Sequence, residues 1–88
     1  MKFQFDPEKA RSNLKKHDVS FADAEGVFYD PLAIHKEDPH SKDGDRWIVV
    51  GMGNTNEILV VVYTLRGEEI RLISSRGATG REVKAYEG

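Results

Sequence analysis

Residues 58–63 read Ile-Leu-Val-Val-Val-Tyr, an apolar run without a polar break. A membrane-spanning helix needs about 20 such residues, so this run is too short to cross a bilayer and suits a strand buried on both faces. A turn at Arg66–Gly67 follows, then a second strand from Ile70 to Ser75, with Arg71 set between Ile70 and Leu72. By strict alternation Arg71 faces away from Ile70, and Ser75 shares the parity of Arg71. Arg66, Arg71, Arg76 and Arg81 recur every five residues through strand, turn and helix start. Guanidinium groups grip phosphate oxygens in bidentate pairs, so arginines crowded around one hairpin point to a phosphate-bearing ligand.

The length of 88 residues allows one domain, 1–88, with no room for a second core. A chain this short buries roughly 60–65% of its unfolded surface and gains from a partner. Its 39% hydrophobic and 32% charged residues are those of an ordinary globular domain. A net charge of −2 argues against a protein that coats DNA non-specifically, and any basic site must be local. The absence of Cys excludes disulfides and thiolate metal sites and fits a reducing cytosol. The opening MKFQFDPEKA has no apolar signal core, so a cytoplasmic protein without membrane association is expected.

Phe3 and Phe5 alternate with polar residues in a short first strand. Asp6 then caps a helix that opens on Pro7, with Ala10, Leu14 and His17 on its buried face. That helix should stop near Asp18 in a left-handed conformation. Ser20 and Asp23 form a capping-box-like pair for a second helix whose stripe is Phe21, Ala24, Val27 and Phe28, ended by Asp30–Pro31. Leu32 to His35 can form a strand, Lys36 to Asp45 reads as a polar loop, and Trp47 to Met52 is the next strand. Gly53 to Asn56 turns the chain into Ile58. Thr79 and Glu82 form a T-x-x-E capping box, stapled by Ala78 and Val83, for a short helix to about Tyr86. The class is α+β: a short N-terminal strand, two helices packed on an antiparallel meander, and a short C-terminal helix.

The string NLKKHDVSF, continued to Ala24, the segment Phe28 to Pro31, the strand Arg46 to Met52, and the run VVYTLRGEEIRLISSRGAT with its following Arg-Glu and Tyr86 resemble the BrnT toxins. The likeness covers Phe3 to Tyr86 in one order. It implies the toxic half of a type II toxin–antitoxin module, with a RelE-like fold and ribonuclease activity against cellular RNA. It further implies neutralisation by a BrnA-like antitoxin, through which alone operator DNA is reached. Asp18 stands where the family usually has Gly, and Gly80 where it often has a charged residue.

Metal-independent RNA cleavage needs a base for the 2′-OH, cations for the pentavalent phosphorane and an acid for the departing 5′ oxygen. Arg66 and Glu69, three apart across a turn, supply a phosphate clamp and a candidate base, or a plain ion pair bracing the turn. Arg81 opens the last helix, where free N–H groups favour an anion, and is a candidate catalytic residue that stabilises the transition state. Arg71 and Arg76 bind RNA phosphate or an acidic antitoxin segment. Glu82 is read as a cap. His17 is a candidate catalyst, or a histidine placed by the helix C-terminus. Lys15 and Lys16 form a solvated face that also suits RNA. His35 and His40 flank the polar loop near Glu37, Asp38 and Asp43 without a convincing ligand set, so neither metal nor cofactor is expected. Trp47 belongs to the core or an interface. Two functions follow: an endoribonuclease toxin, or a non-catalytic module that docks an acidic antitoxin segment.

Overall fold

The apolar run becomes the middle of β4 (Ile58–Arg66), the central strand of a five-stranded sheet. The computed structural model describes all residues, 1–88. Across the sheet the order is β1 (Lys2–Gln4), β5 (Glu69–Gly77), β4, β3 (Arg46–Met52) and β2 (Ile34–Glu37). Strands β2 to β5 pair antiparallel in sequence order, as a meander requires. β1 departs from the expectation: it joins β5 in parallel, Phe3 opposite Ile70, and the sheet is mixed.

The path of the chain explains that pairing. β1 covers only Glu69 to Arg71 of the β5 edge, and α1 (Pro7–His17) continues in the same direction along the rest. Asp6 caps α1 by accepting from the Glu8 N–H at 2.9 Å, and Asp18 ends it at φ 58°, its N–H bonded to the Leu14 carbonyl. The helix meets the edge of a strand rather than an apolar face, and a strand edge presents unpaired N–H and C=O groups. Asn13 meets them. Its Oδ1 accepts from the Ser75 N–H at 3.0 Å, and its Nδ2 donates to the carbonyls of Ser75 and Val19 at 2.9 and 3.0 Å. Leu14, expected on the buried stripe, is 48% exposed, because Asn13 takes the inward position at 7%.

Ser20 caps the next helix as expected, accepting from the Asp23 N–H, but α2 (Phe21–Ala24) lasts one turn and tightens into a 3-10 turn over Glu25–Tyr29. The β3–β4 turn presses against it there. A Cβ on Gly26 would lie 2.5 Å from Asn54 Oδ1. Asp23 reaches out to the N–H and hydroxyl of Thr55 at 2.6 and 2.9 Å. Val19, Phe21, Ala24 and Val27 pack on Val49, Leu59, Val61, Tyr63, Ile70 and Leu72 to form the core on this side of the sheet. The strand after Pro31 runs through Glu37, so two residues read as loop belong to β2.

β5 holds a bulge. Val62 pairs with Ser74 and Tyr63 with Leu72, which leaves Ile73 as the extra residue. One inserted residue reverses the alternation beyond it. Ser75, opposite Val61, therefore shares the core face with Leu72, and Arg76, opposite Val60, shares the other face with Arg71. The expected parity of Arg71 with Ser75 is overturned by this insertion. α3 (Gly80–Glu87) opens on the full Thr79–Glu82 capping box and packs against β3. Its Tyr86 hydroxyl donates to Asp30 Oδ2 at 2.6 Å, which also accepts the Met52 N–H.

Removing the Asn13 carboxamide leaves a buried N–H and its facing carbonyls without partners, at about 1–3 kcal/mol for each unsatisfied group. Asn13→Ala is expected to lower the unfolding free energy by about 3 kcal/mol in urea titration. Leu14→Ala, one residue on, is expected to change it by under about 1 kcal/mol.

Candidate active site

On the sheet face opposite the core, register sets Arg46 beside Thr64 and Thr64 beside Arg71. One step along, Arg66 faces Glu69 across the Gly67–Glu68 turn, where Gly67 takes φ 62°. Between this face, α1 and the β2–β3 loop lies a groove of about 380 Å³. Lys9 comes from α1, Arg46, Thr64 and Arg66 from the sheet, and His40, Lys42, Asp43 and Asp45 from the loop. A smaller groove of about 230 Å³ adjoins it, sharing Lys9 and Ile73 and adding Ser12, Asn13, Ser74, Lys16 and His17.

Thr64 is only 8% exposed, and its hydroxyl is buried without a hydrogen-bond partner. A buried hydroxyl in that state costs about 1–3 kcal/mol. Here it lies in the wall of a groove rimmed by four cations, Lys9, Lys42, Arg46 and Arg66, and two carboxylates, Asp43 and Asp45.

The loop is folded onto β3. The Asp38 N–H donates to the Arg46 carbonyl at 2.9 Å, and Ser41 Oγ accepts from the N–H groups of Asp45 and Arg46 at 3.1 and 3.2 Å. Asp38 also accepts the His40 N–H at 2.9 Å and lies 3.9 Å from Arg46 Nε. Hydrogen bonds at its base thus fix which side chains the loop presents to the groove.

The four evenly spaced arginines do not gather in one place. Arg66 lines the main groove, and Arg71 is two residues from it in the cross-strand register, donating to Gln4 Oε1 at 2.9 Å. Gln4 in turn donates through its amide to Glu69 Oε2, which joins the two charged residues. Arg76 sits opposite Val60, six residues along β4 from Arg66, or about 20 Å of strand. Arg76 holds Glu82 through two hydrogen bonds of 2.8 and 2.9 Å, and Arg81 is exposed in the first turn of α3. His17 and Lys16 line the smaller groove, whereas Lys15 is exposed and lines neither.

The turn-bracing ion pair between Arg66 and Glu69 is not formed: the ion pairs are Arg11–Glu8, Arg46–Asp38 and Arg76–Glu82. His35 and His40 part company. His35 Nδ1 bonds the Tyr63 hydroxyl at 2.8 Å, and burial pushes the histidine pKa down and the tyrosine pKa up. No three His, Asp or Glu side chains converge as metal ligands do. Trp47 is half-buried against the core. Sequence reasoning missed Lys9, Arg46 and Thr64 as groove residues and weighed His40 only for metal. Only the cross-strand register of β3, β4 and β5 brings the sheet residues together, and that register is not written in local spacing.

A family model described as the ribonuclease toxin BrnT of type II toxin–antitoxin systems matches residues 5–82. The chain belongs to the BrnT family. Its fold is similar to the crystal structure of the Brucella abortus ribonuclease toxin BrnT, with a TM-score of 0.67 and 30% identity, covering 90% of this chain and 97% of that one. No curated protein matches it. Membership makes the chain a ribonuclease toxin whose partner is a protein antitoxin. No helix is long and apolar enough to cross a membrane.

In this BrnT-family chain the Arg76–Glu82 pair ties α3 to the sheet. The hydrogen bonds from Arg76 hold the Glu82 carboxyl at about 2, down from an ordinary 4.5, outweighing its partial burial. A depressed carboxyl pKa gives stability that is present above 4.5 and lost as pH falls towards about 2. Both side chains are partly exposed, so solvent screening keeps the contribution to about 1 kcal/mol. Glu82→Gln is expected to lose that amount at pH 7 and to show a shallower fall in melting temperature across this acid window.

Proposed function

We propose that this chain is a metal-independent endoribonuclease toxin that cuts cellular RNA, stops translation and growth, and is neutralised by a BrnA-like antitoxin. The observation that carries the reading is the groove: Lys9, Arg46 and Arg66 converge on it beside the unpartnered Thr64 hydroxyl. With Lys42 from the loop, four cations line one groove, a setting that suits a phosphodiester.

In this reading Arg66 clamps the scissile phosphate and stabilises the charge that builds on it. Glu69, its cross-strand partner, removes the 2′-OH proton. Gln4 engages only Oε2 of Glu69, which leaves Oε1 to take that proton. Arg71 stabilises the developing charge from beside Glu69. The smaller groove, with Lys16 and His17, receives the flanking nucleotides, and Lys15 adds to the field outside it. Arg76 and Arg81, at the far end of β5, bind a more distant phosphate or an acidic antitoxin segment. Operator DNA is reached only through the antitoxin.

Cells expressing Arg66→Ala or Glu69→Ala are expected to grow where cells expressing the parent stop, with both variants folded by circular dichroism. Loss of one transition-state contact typically lowers the rate about 10²–10³-fold. Cleavage by the purified parent is expected to survive EDTA. A chain that binds antitoxin yet leaves RNA intact would show the non-catalytic docking module instead, and activity restored by a divalent ion would overturn the metal-free route.

A further inference from the structure

Cleavage as proposed leaves one role without a residue, the acid for the departing oxygen. The three imidazoles lie in three different settings. His17 lines the smaller groove, and His35 is bonded to Tyr63, whose ring belongs to the core on the other side of the sheet. His40 lines the main groove together with Arg66.

The sheet order adds a geometric argument. In phosphoryl transfer the attacking and leaving oxygens lie in line, on opposite sides of phosphorus. Acid and base must therefore approach from opposite sides. Arg66 is on β4, Glu69 on the β5 side of it, and His40 on the loop that leads into β3, the other neighbour of β4. Glu69 does not itself line the groove, but strand order sets it on the β5 side of Arg66 and His40 on the β3 side. The loop is anchored at its base by the bonds of Asp38 and Ser41 to the start of β3, and the His40 N–H is itself held by Asp38.

We propose that His40 is the general acid of RNA cleavage in this chain, an assignment that rests on the ribonuclease reading above. The 2′ oxygen gives its proton to Glu69 and forms the new bond to phosphorus. The bond from phosphorus to the 5′ oxygen breaks, and that oxygen takes a proton from the His40 imidazolium. The products are a 2′,3′-cyclic phosphate and a 5′-hydroxyl, and no co-reactant is consumed. Imidazole is the side chain whose ordinary titration range spans neutral pH, which suits it to give and regain a proton there. The charged groups facing His40 across the groove are Lys9, Arg46 and Arg66, with Lys42, Asp43 and Asp45 from its own loop. An acid must be protonated to act, so general-acid catalysis gives a rate that declines towards high pH.

The test is single-turnover cleavage of a short RNA by the parent and His40→Ala between pH 5 and 9. A second substrate carries sulfur in place of the leaving 5′ oxygen. Thiolate leaves without protonation, so loss of an acid does not slow it. His40→Ala is expected to cut the oxygen substrate about 10²–10³-fold more slowly and to lose the decline at high pH. It should cut the sulfur substrate at nearly the parent rate. It should also bind a non-cleavable 2′-deoxy analogue as the parent does. Parent-like cleavage of the oxygen substrate, or an equal loss on both substrates, would overturn the assignment and leave the ribonuclease reading standing. A parent that cuts no RNA would remove both together.

Discussion

A single carboxamide allows the helical layer to close on the sheet. Asn13 offers Ser75 an acceptor and a donor at the spacing a neighbouring strand would provide, and α1 can therefore lie along an edge that β1 leaves open. An uncovered edge exposes polar backbone, and an apolar side chain placed there would bury that backbone without partners. The same contact fixes where the rest of α1 stands. Lys9, one turn before Asn13, reaches the groove on the face away from the core, and Lys16 and His17 follow it. The groove exists because a helix sits beside the sheet rather than on it.

The bulge at Ile73 is the second constraint, and it acts on charge. Without the inserted residue Arg71 and Arg76 would face opposite ways, since five residues is an odd step along a strand. With it, both face away from the core, and Ser75 turns inward to meet Asn13. One irregularity thus serves both the edge closure and the basic face. It does not make the arginines one cluster. Glu82 occupies Arg76 in a bidentate pair at the α3 end, while Arg66 remains free of any ion pair at the other. The groove lies at the Arg66 end, where Lys9, Lys42 and Arg66 stand outside any ion pair and Arg46 is held by Asp38.

Local chemistry was legible in the sequence, and long-range pairing was not. Asp6 with Pro7, Asp18 and the Thr79–Glu82 box set their helix ends as read, because a cap is decided by residues within four positions of one another. The doubly buried strand was read from its unbroken apolar run, and Leu59, Val60 and Val61 are all buried. Leu14 misled because helical periodicity assumes an apolar surface to pack against, and α1 packs on a polar strand edge. Gly26 and Asp23 shortened the second helix through contacts with Asn54 and Thr55, some thirty residues away. Lys9, Arg46, Thr64 and His40 come from three separate regions of the sequence, and no spacing rule joins them. The likeness to the BrnT family named the family but not these residues, and the family match over residues 5–82 upheld the family.

The proposed entry of RNA at the Arg66 end of the sheet is open to direct measurement. It is tested most directly by following backbone amide resonances while a short 2′-deoxy-substituted RNA, which cannot be cut, is titrated into the folded chain. The expected result is a set of shifts at Lys9, His40, Arg46, Thr64 and Arg66, fading through Lys16 and His17, with the Arg76–Glu82 segment nearly unmoved. Shifts centred on Arg76 and Arg81, with the groove silent, would put RNA at the α3 end instead and overturn entry at Arg66.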